Sequence, residues 1–155
     1  MPVSPNLELL SKINQSQSWF HAKKTRPIWA KMLQRAQTVE TLEGRETAGA
    51  GDYLCRGESG EVWPQRAKSL EAKYTPTDTV DGDGWRKYQP RPDAEGVLAA
   101  KVEHPFSLEA KWGLLKGKAG DYVVKSYRDK DTDYPDDVWI VDRDLFLATY
   151  EPVGR

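Results

Sequence analysis

Aromatic and cationic side chains are interleaved in two short stretches, and these residue types suit the binding of an anionic, planar ligand. The stretches cover residues 84–92 and 19–26. An aromatic ring can stack on a nucleobase while a guanidinium or ammonium group pairs with a phosphate. The alternative is that the aromatics anchor the chain to the fold and the cations point to water. The candidate ligand-binding residues are Trp85, Arg86, Lys87, Tyr88, Arg91, Trp19, Lys24 and Arg26.

Carboxylates could supply acid–base chemistry at Asp52, Asp121 and Glu61. Such a role requires raised pKa values, which a sequence pattern does not establish. The alternative for the two aspartates is structural, because each follows a glycine and precedes a tyrosine. In a turn of that kind, glycine supplies the backbone conformation and aspartate accepts backbone hydrogen bonds. We therefore assign no catalytic residue.

No metal site and no cofactor are predicted. Two histidines and one cysteine would need an additional carboxylate to complete a zinc site. The alternating aspartates of residues 129–137 resemble the start of an EF-hand loop. However, Tyr134 stands where that loop needs glycine, and Ile140 stands where it needs glutamate. The pattern favours a solvated acidic hairpin tip over a calcium site.

The elements that must position these residues occur twice in the chain. Residues 29–53 align with residues 98–122 at a constant offset of 69, and after the shared tyrosine the offset becomes 76. A duplication of this kind indicates one supersecondary module used twice. We assign a structural role to the motif residues Gly51, Asp52, Tyr53, Trp63 and Tyr74 of the first copy and Gly120, Asp121, Tyr122, Trp139 and Tyr150 of the second.

Local patterns predict an α+β fold that is mainly β. Each copy contains short segments rich in strand formers, followed by a short helix at residues 68–74 or 144–150. A further amphipathic helix is predicted at residues 5–14. The expected architecture is two tandem small curved-sheet or barrel-like units, each closed by a short helix, plus the N-terminal helix. An open sheet with a helix across it is the alternative to a small barrel.

The duplication also suggests a division of the chain. We predict an N-terminal helix and lead-in (1–18), a first unit (19–78), a linker (79–94) and a second unit (95–155). Units of about sixty residues are near the lower limit for folding alone, which favours packing as one globular body. The segments before the two copies also show a weaker similarity, since Trp19 and Trp85 are both followed by basic residues and an Arg-Pro pair. Cys55 corresponds to Val124, which indicates a small apolar slot rather than a nucleophile.

The net charge limits the class of partner, and the first residues bear on the location of the protein. A net charge of -1 argues against a nucleic-acid polymer or a membrane surface as the main partner. No apolar run is long enough to span a bilayer. The first residues have neither a basic start nor an apolar core, so we expect a cytoplasmic protein.

The repeated motifs resemble the PGDYG-type small proteins of phages and bacteria. The similarity lies in residues 119–122, in residues 146–151 and in the Gly-Glu-x-Trp-Pro hairpin at 60–64, with Ala50 in place of the family's proline. It covers both copies but neither the N-terminal helix nor the linker. The family has no established reaction, so the resemblance implies a phage or mobile-element context and a cytoplasmic location, without a chemistry.

Three functions are compatible with these patterns. The leading hypothesis is a non-catalytic binding protein that captures a small phosphorylated or nucleotide-like ligand in a cleft between the two repeats. The second is a protein–protein adaptor or inhibitor that binds an enzyme through an aromatic surface. The third is a carboxylate-based nucleotide hydrolase or transferase.

Overall fold

The computed structural model describes residues 5–41, 44–110 and 113–153. Residues 1–4 of the predicted lead-in lie outside this part. The helices are α1 (Pro5–Ser16), α2 (Ala67–Lys73) and α3 (Arg143–Thr149), with a 3-10 helix at Tyr127–Asp129. The strands are β1 (Phe20–Lys24), β2 (Ile28–Met32), β3 (Gln37–Thr41), β4 (Gly44–Ala48), β5 (Tyr53–Arg56), β6 (Val62–Gln65), β7 (Tyr74–Val80), β8 (Arg86–Pro90), β9 (Val97–Lys101), β10 (Phe106–Ala110), β11 (Gly113–Gly117), β12 (Tyr122–Ser126), β13 (Val138–Val141) and β14 (Tyr150–Pro152).

The predicted class, α+β and mainly β with an N-terminal helix, is confirmed. The chain divides into two compact units. Residues 1–24 and 95–155 form the first, which we call the α1 unit, and residues 25–94 form the second, the central unit. These bounds differ from the predicted ones because the stretch expected to be a linker contains β8, which pairs with β2 and β7.

Each unit contains a five-stranded antiparallel sheet and a two-stranded hairpin. The sheet order is β6-β5-β2-β8-β7 in the central unit and β13-β12-β9-β1-β14 in the α1 unit. The registers correspond position by position, since Cys55 pairs with Trp63 and Val124 pairs with Trp139. Both sheets are open, so the described strands form no closed barrel.

Strands β1 and β8 exchange places between the two copies. β1 precedes the first copy in the sequence, yet it pairs with β9 and β14. β8 precedes the second copy, yet it pairs with β2 and β7 of the first. Each sheet is therefore completed by the strand that stands in front of the other copy.

The helices cover apolar faces of the sheets. α1 buries Leu9, Leu10 and Ile13 in a core with residues of β9–β13. On the opposite face of the same sheet, Phe146 of α3 packs into a second cluster. In the central unit, Leu70 of α2 packs into a third. Among the described helices, none has the length and apolar content needed to cross a bilayer.

Candidate functional site

The two copies differ in the connection between β5 and β6 and in its counterpart between β12 and β13. In the central unit, β5 and β6 are joined by a tight hairpin in which Gly57 N donates to Glu61 O at 2.9 Å. Gly60 adopts a φ of 86° there, a conformation that favours glycine. In the α1 unit, β12 and β13 are joined by residues 127–137, which we call the acidic loop. Its acidic residues are Asp129, Asp131, Asp133, Asp136 and Asp137.

A buried lysine donates a hydrogen bond to the backbone of the acidic loop. Lys125, at the end of β12, is 2% exposed and its Nζ donates to Thr132 O at 2.9 Å. The ammonium also lies 4.7 Å from the centroid of the Trp19 ring. Burial lowers the pKa of Lys125, and the nearby carboxylates, Asp133 foremost, oppose that shift. The loop's carboxylates thus already face a cation of the protein, and the described residues contain no cluster of three or more metal-ligating side chains.

Side-chain hydrogen bonds attach the acidic loop to α1. Tyr134 Oη and Ser11 Oγ are 2.9 Å apart, and Asn14 Nδ2 donates to Asp133 O at 3.0 Å. Asn6, in the first turn of α1, makes two hydrogen bonds to strand β10. Its Nδ2 donates to Glu109 O at 2.7 Å and its Oδ1 accepts from Glu109 N at 2.6 Å. The loop, the helix and the hairpin strand are therefore held in a fixed arrangement.

These three elements enclose a cleft of about 370 Å³. Its apolar part contains two exposed side chains, Leu7 at 44% and Tyr134 at 49%. The polar lining includes the acidic residues Glu109 and Asp136. We call the apolar lining residues the floor of the cleft and the acidic ones its rim. A cleft of this composition can bind a ligand that combines a hydrophobic group with a cation. The lining residues are Asn6, Leu7, Leu10, Glu109, Ala110, Tyr134, Pro135 and Asp136.

The eight residues predicted to bind a ligand fall into both units. Trp19 and Lys24 belong to the α1 unit, and the other six belong to the central unit. Trp85 and Tyr88 are each only 8% exposed. The remaining central-unit residues are Arg26, Arg86 and Arg91, which are exposed, and Lys87, which is half-buried.

Groups within the protein contact four of these five cations. Arg86 Nη1 donates to Thr77 O at 2.8 Å, and Arg91 Nε donates to Asp93 Oδ1 at 3.0 Å. Arg26 lies 4.0 Å from Glu58. In the α1 unit, Lys24 Nζ lies 5.3 Å from the centroid of the Tyr150 ring.

Trp19 and Trp85, which precede the two copies, make equivalent contacts in their units. Trp85 lies under Arg56 and Lys31, with distances of 4.6 and 4.7 Å to the ring centroid. Trp19 lies under Lys125, the residue equivalent to Arg56, and donates from Nε1 to Asn14 Oδ1 at 2.8 Å. Cation–π contacts of this kind attach the start of β8 and of β1 to the sheet that each strand completes.

The Gly-Asp-Tyr motif forms the same turn in both units. Gly51 and Gly120 have φ values of 89° and 96°. Asp52 Oδ2 accepts from Gly49 N at 2.8 Å, and Asp121 Oδ2 accepts from Lys118 N at 2.9 Å. The motif's other predicted members, Tyr53, Tyr122, Trp63, Trp139, Tyr74 and Tyr150, lie on the sheet strands or at their first residues. Burial raises the pKa of the Tyr150 hydroxyl.

Among the described residues, Asp121 accepts hydrogen bonds beyond the turn bond that it shares with Asp52. Its Oδ1 accepts from Arg143 N at 2.9 Å, and Lys118 Nζ lies 3.2 Å from its Oδ2. Lys118 also donates to Asp142 at 2.9 Å, which raises the pKa of the lysine. Burial raises the pKa of Asp142, but hydrogen bonds from Lys118 and from backbone amides outweigh it and lower the pKa overall. This network fixes the start of α3.

The other candidates for chemistry are buried (Cys55, Asp121) or half-buried (Asp52, Glu61). Cys55 is 0% exposed, and Gln65 Nε2 approaches its Sγ at 3.4 Å. Glu61 lies against Gly57 in the tight hairpin. Asp52 and Asp121 belong to different units and accept backbone hydrogen bonds.

Sequence patterns did not indicate the cleft. Asn6 and Leu7 precede Tyr134 by more than a hundred residues, and the two segments meet only because β1 joins the second copy's sheet. The one available signal was that the acidic loop interrupts the correspondence between the copies. Searches against family models, curated proteins and solved structures find no match. The resemblance to PGDYG-type proteins therefore stays a prediction.

Proposed function

We propose that this chain is a non-catalytic protein-binding module, and that its cleft between α1, β10 and the acidic loop receives a segment of a partner protein. The observation that carries the proposal is the exposed pair Leu7 and Tyr134 above an apolar floor. Large apolar side chains in a concave setting with a polar rim are typical of recognition surfaces. In keeping with the resemblance, the proposal includes a phage or mobile-element context and a cytoplasmic location.

A protein segment fits this cleft better than a nucleotide does. The lining includes the acidic residues Glu109 and Asp136 and no lysine or arginine among the described lining residues. A phosphate placed there would meet like charge, which costs free energy. The hydrogen bonds of Tyr134 and Asn14 hold the cleft wall in place before binding. Such preorganisation reduces the entropy lost when a partner binds.

A photo-crosslinker placed in the cleft tests this function. Tyr134 is replaced by p-benzoylphenylalanine, and Leu147, which is 64% exposed on α3, receives the same group as a control. We expect a crosslinked partner from position 134 alone. The purified partner should bind the unlabelled protein and lose at least tenfold affinity on Leu7→Asp. Leu7 is in the first turn of α1, where an aspartate is compatible with the helix. Identical products from both positions would contradict the proposal.

A second candidate is the capture of a small phosphorylated or nucleotide-like ligand. The exposed guanidinium groups of Arg26, Arg86 and Arg91 in the central unit favour it. A ligand would have to replace their contacts with Glu58, Thr77 and Asp93. Thermal shift against nucleotides and cyclic nucleotides tests this candidate. Stabilisation that disappears on Arg86→Gln supports it, and no stabilisation at millimolar concentration overturns it.

A further inference from the structure

The rim of the cleft carries acidic residues, and among the residues that the structure describes no ion pair neutralises them. Glu109 of β10 is directly opposite Leu114 of β11. At the equivalent place in the central unit, Glu40 is opposite Arg45, and Arg45 Nε lies 2.6 Å from Glu40 Oε1. The second copy therefore has an exposed leucine where the first copy has an arginine. Among the described residues, Glu109 makes no ion pair.

The acidic loop adds further negative charge on the other side of the cleft. It contains five aspartates but only Arg128 and Lys130 as cations. Lys130 Nζ lies 5.0 Å from the Tyr127 ring, at the far end of the loop from Asp136. The buried Lys125 already contacts Thr132 from inside the loop. The rim of the cleft therefore has an excess of carboxylate charge.

At Glu109, the backbone of β10 is not available to pair with an added strand. Asn6 occupies both the N–H and the C=O of Glu109 with its side-chain amide. A partner segment cannot pair with β10 at this residue as an added strand would. Recognition must therefore come from side chains that enter the cleft.

The size and the walls of the cleft limit what those side chains can be. A volume of about 370 Å³ accommodates one bulky apolar side chain together with the stem of a neighbouring residue. The Tyr134 ring is held through its hydroxyl by Ser11, so one flank of the cleft is a fixed aromatic surface. A guanidinium group can lie on an aromatic face and pair with a carboxylate at the same time.

We propose that the cleft recognises a polypeptide segment in which one bulky apolar side chain is flanked by arginine or lysine. The apolar group contacts Leu7, Leu10 and Tyr134, and the flanking cations face Glu109 and Asp136. This inference rests on the proposed protein-binding function and adds the chemistry of the partner.

Three synthetic peptides with one central phenylalanine and arginine, glutamine or glutamate at all flanking positions test the charge requirement. Binding of each fluorescent peptide to the full-length protein is followed by anisotropy at low and at high salt. We expect the arginine peptide to bind at least tenfold more tightly than the glutamine peptide and the glutamate peptide not to bind. The difference should shrink at high salt because rim charges are screened.

Variants locate the binding. Asp136→Asn and Leu114→Arg should each weaken the arginine peptide several-fold and leave the glutamine peptide unchanged. Leu7→Asp should weaken the glutamine peptide as well. Asp144→Asn, an exposed carboxylate on α3 outside the cleft, is the matched control and should have no effect. Light scattering shows whether a second copy of the chain occupies the cleft instead, which would overturn the proposal.

The outcomes separate this inference from the proposed function. Equal binding of the arginine and glutamine peptides, lost in Leu7→Asp, would refute the charge requirement and leave the protein-binding function in place. Arginine-peptide binding that survives both Asp136→Asn and Leu114→Arg would be nonspecific attraction and would refute the site. If no peptide binds while the crosslink at position 134 persists, the partner chemistry is wrong and the function stands. If both are absent, both proposals fail.

Discussion

The surface that the five-stranded sheet and the neighbouring hairpin present to α1 is apolar in the α1 unit, and the equivalent positions of the central unit include charged residues. In the α1 unit, Ala100, Leu115 and Val123 pack beneath the apolar residues of α1. The equivalent positions in the central unit are Lys31, Glu46 and Leu54. The central unit therefore has a lysine and a glutamate where the α1 unit has alanine and leucine, although strand order and register are the same in both units.

The difference shows what α1 contributes. An apolar face without a cover would be costly, so the second copy needs the helix that precedes the duplication. The same helix then provides one wall of the cleft through Asn6 and Leu7. In the central unit, Trp85 contacts Lys31 and Arg56 on the equivalent face. The α1 unit has the equivalent contact of Trp19 with Lys125 and, in addition, the packing of α1.

The largest difference between the units should appear when the turn aspartates are removed. Asp121→Ala should destabilise the protein by roughly 3–5 kcal/mol, because it leaves Lys118 N and Arg143 N without their acceptor and removes a buried charge from its partners. Asp52→Ala should cost only about 1 kcal/mol, since the loss is a single turn hydrogen bond. Urea unfolding gives the stabilities.

Hydrogen exchange locates the effect of the aspartate substitutions. In Asp121→Ala, the amides of β12 and α3 should lose protection while those of β5 keep it. Asp121→Asn keeps only one acceptor oxygen, and its amide NH2 group would face Lys118 N or Arg143 N, so its stability should lie between those of the parent protein and Asp121→Ala. Equal losses from Asp52→Ala and Asp121→Ala would show that the extra donors of Asp121 contribute nothing.

The fold was predictable where the two copies agree, and the site was not. The offsets of 69 and 76 align strands that have equal registers, and Cys55 and Val124 are both fully buried at the shared slot. Local patterns cannot specify which distant strand a short strand joins, so the exchange of β1 and β8 was missed. β8 also looks like a linker because Pro90 ends it and exposed cations occupy its surface. The cleft depends on that exchange.

A second difference between the units is a pH dependence of stability near neutral pH that comes from Glu46 of the central unit. Glu46 is 7% exposed, and burial raises its pKa to about 7, with an opposing contribution from a hydrogen bond with Thr41. Because the folded pKa exceeds the unfolded one, the stability contributed by the protonated form is complete below pH 4.5 and is lost as the pH rises through about 7. The loss should be on the order of 2 kcal/mol after allowance for partial screening by solvent.

Glu46→Leu copies the residue of the α1 unit at this position. The variant should be more stable than the parent protein at pH 8 and should lose the pH dependence between 4.5 and 7. Denaturant unfolding at a series of pH values measures both effects. Glu46→Gln, which cannot ionise, separates the charge from the packing. A parent protein whose stability does not change across this range would contradict the burial of an ionisable Glu46.

A smaller effect is expected from the buried lysine of the α1 unit. Lys125→Met removes the contact with Trp19 and the hydrogen bond to Thr132 O, but it also removes the cost of burying a charge. The net destabilisation should be about 1 kcal/mol. Amide exchange in the acidic loop should accelerate more than exchange in β12. Arg56→Met, the equivalent change in the central unit, is the control and should leave the acidic loop unchanged.

The smallest effect on stability should come from exchanging the residues opposite the two hairpin glutamates. Leu114 is 54% exposed, so Leu114→Arg should change the stability by less than about 0.5 kcal/mol. The new guanidinium group would be opposite Glu109, as Arg45 is opposite Glu40 in the central unit. It should neutralise the rim of the cleft and weaken cationic peptides several-fold, as anisotropy would show. The reciprocal Arg45→Leu change should leave peptide binding untouched, because the central-unit hairpin does not line the cleft. Unchanged binding of the cationic peptides in Leu114→Arg would contradict a role for this position. The difference between Leu114 and Arg45 would then have no effect on recognition.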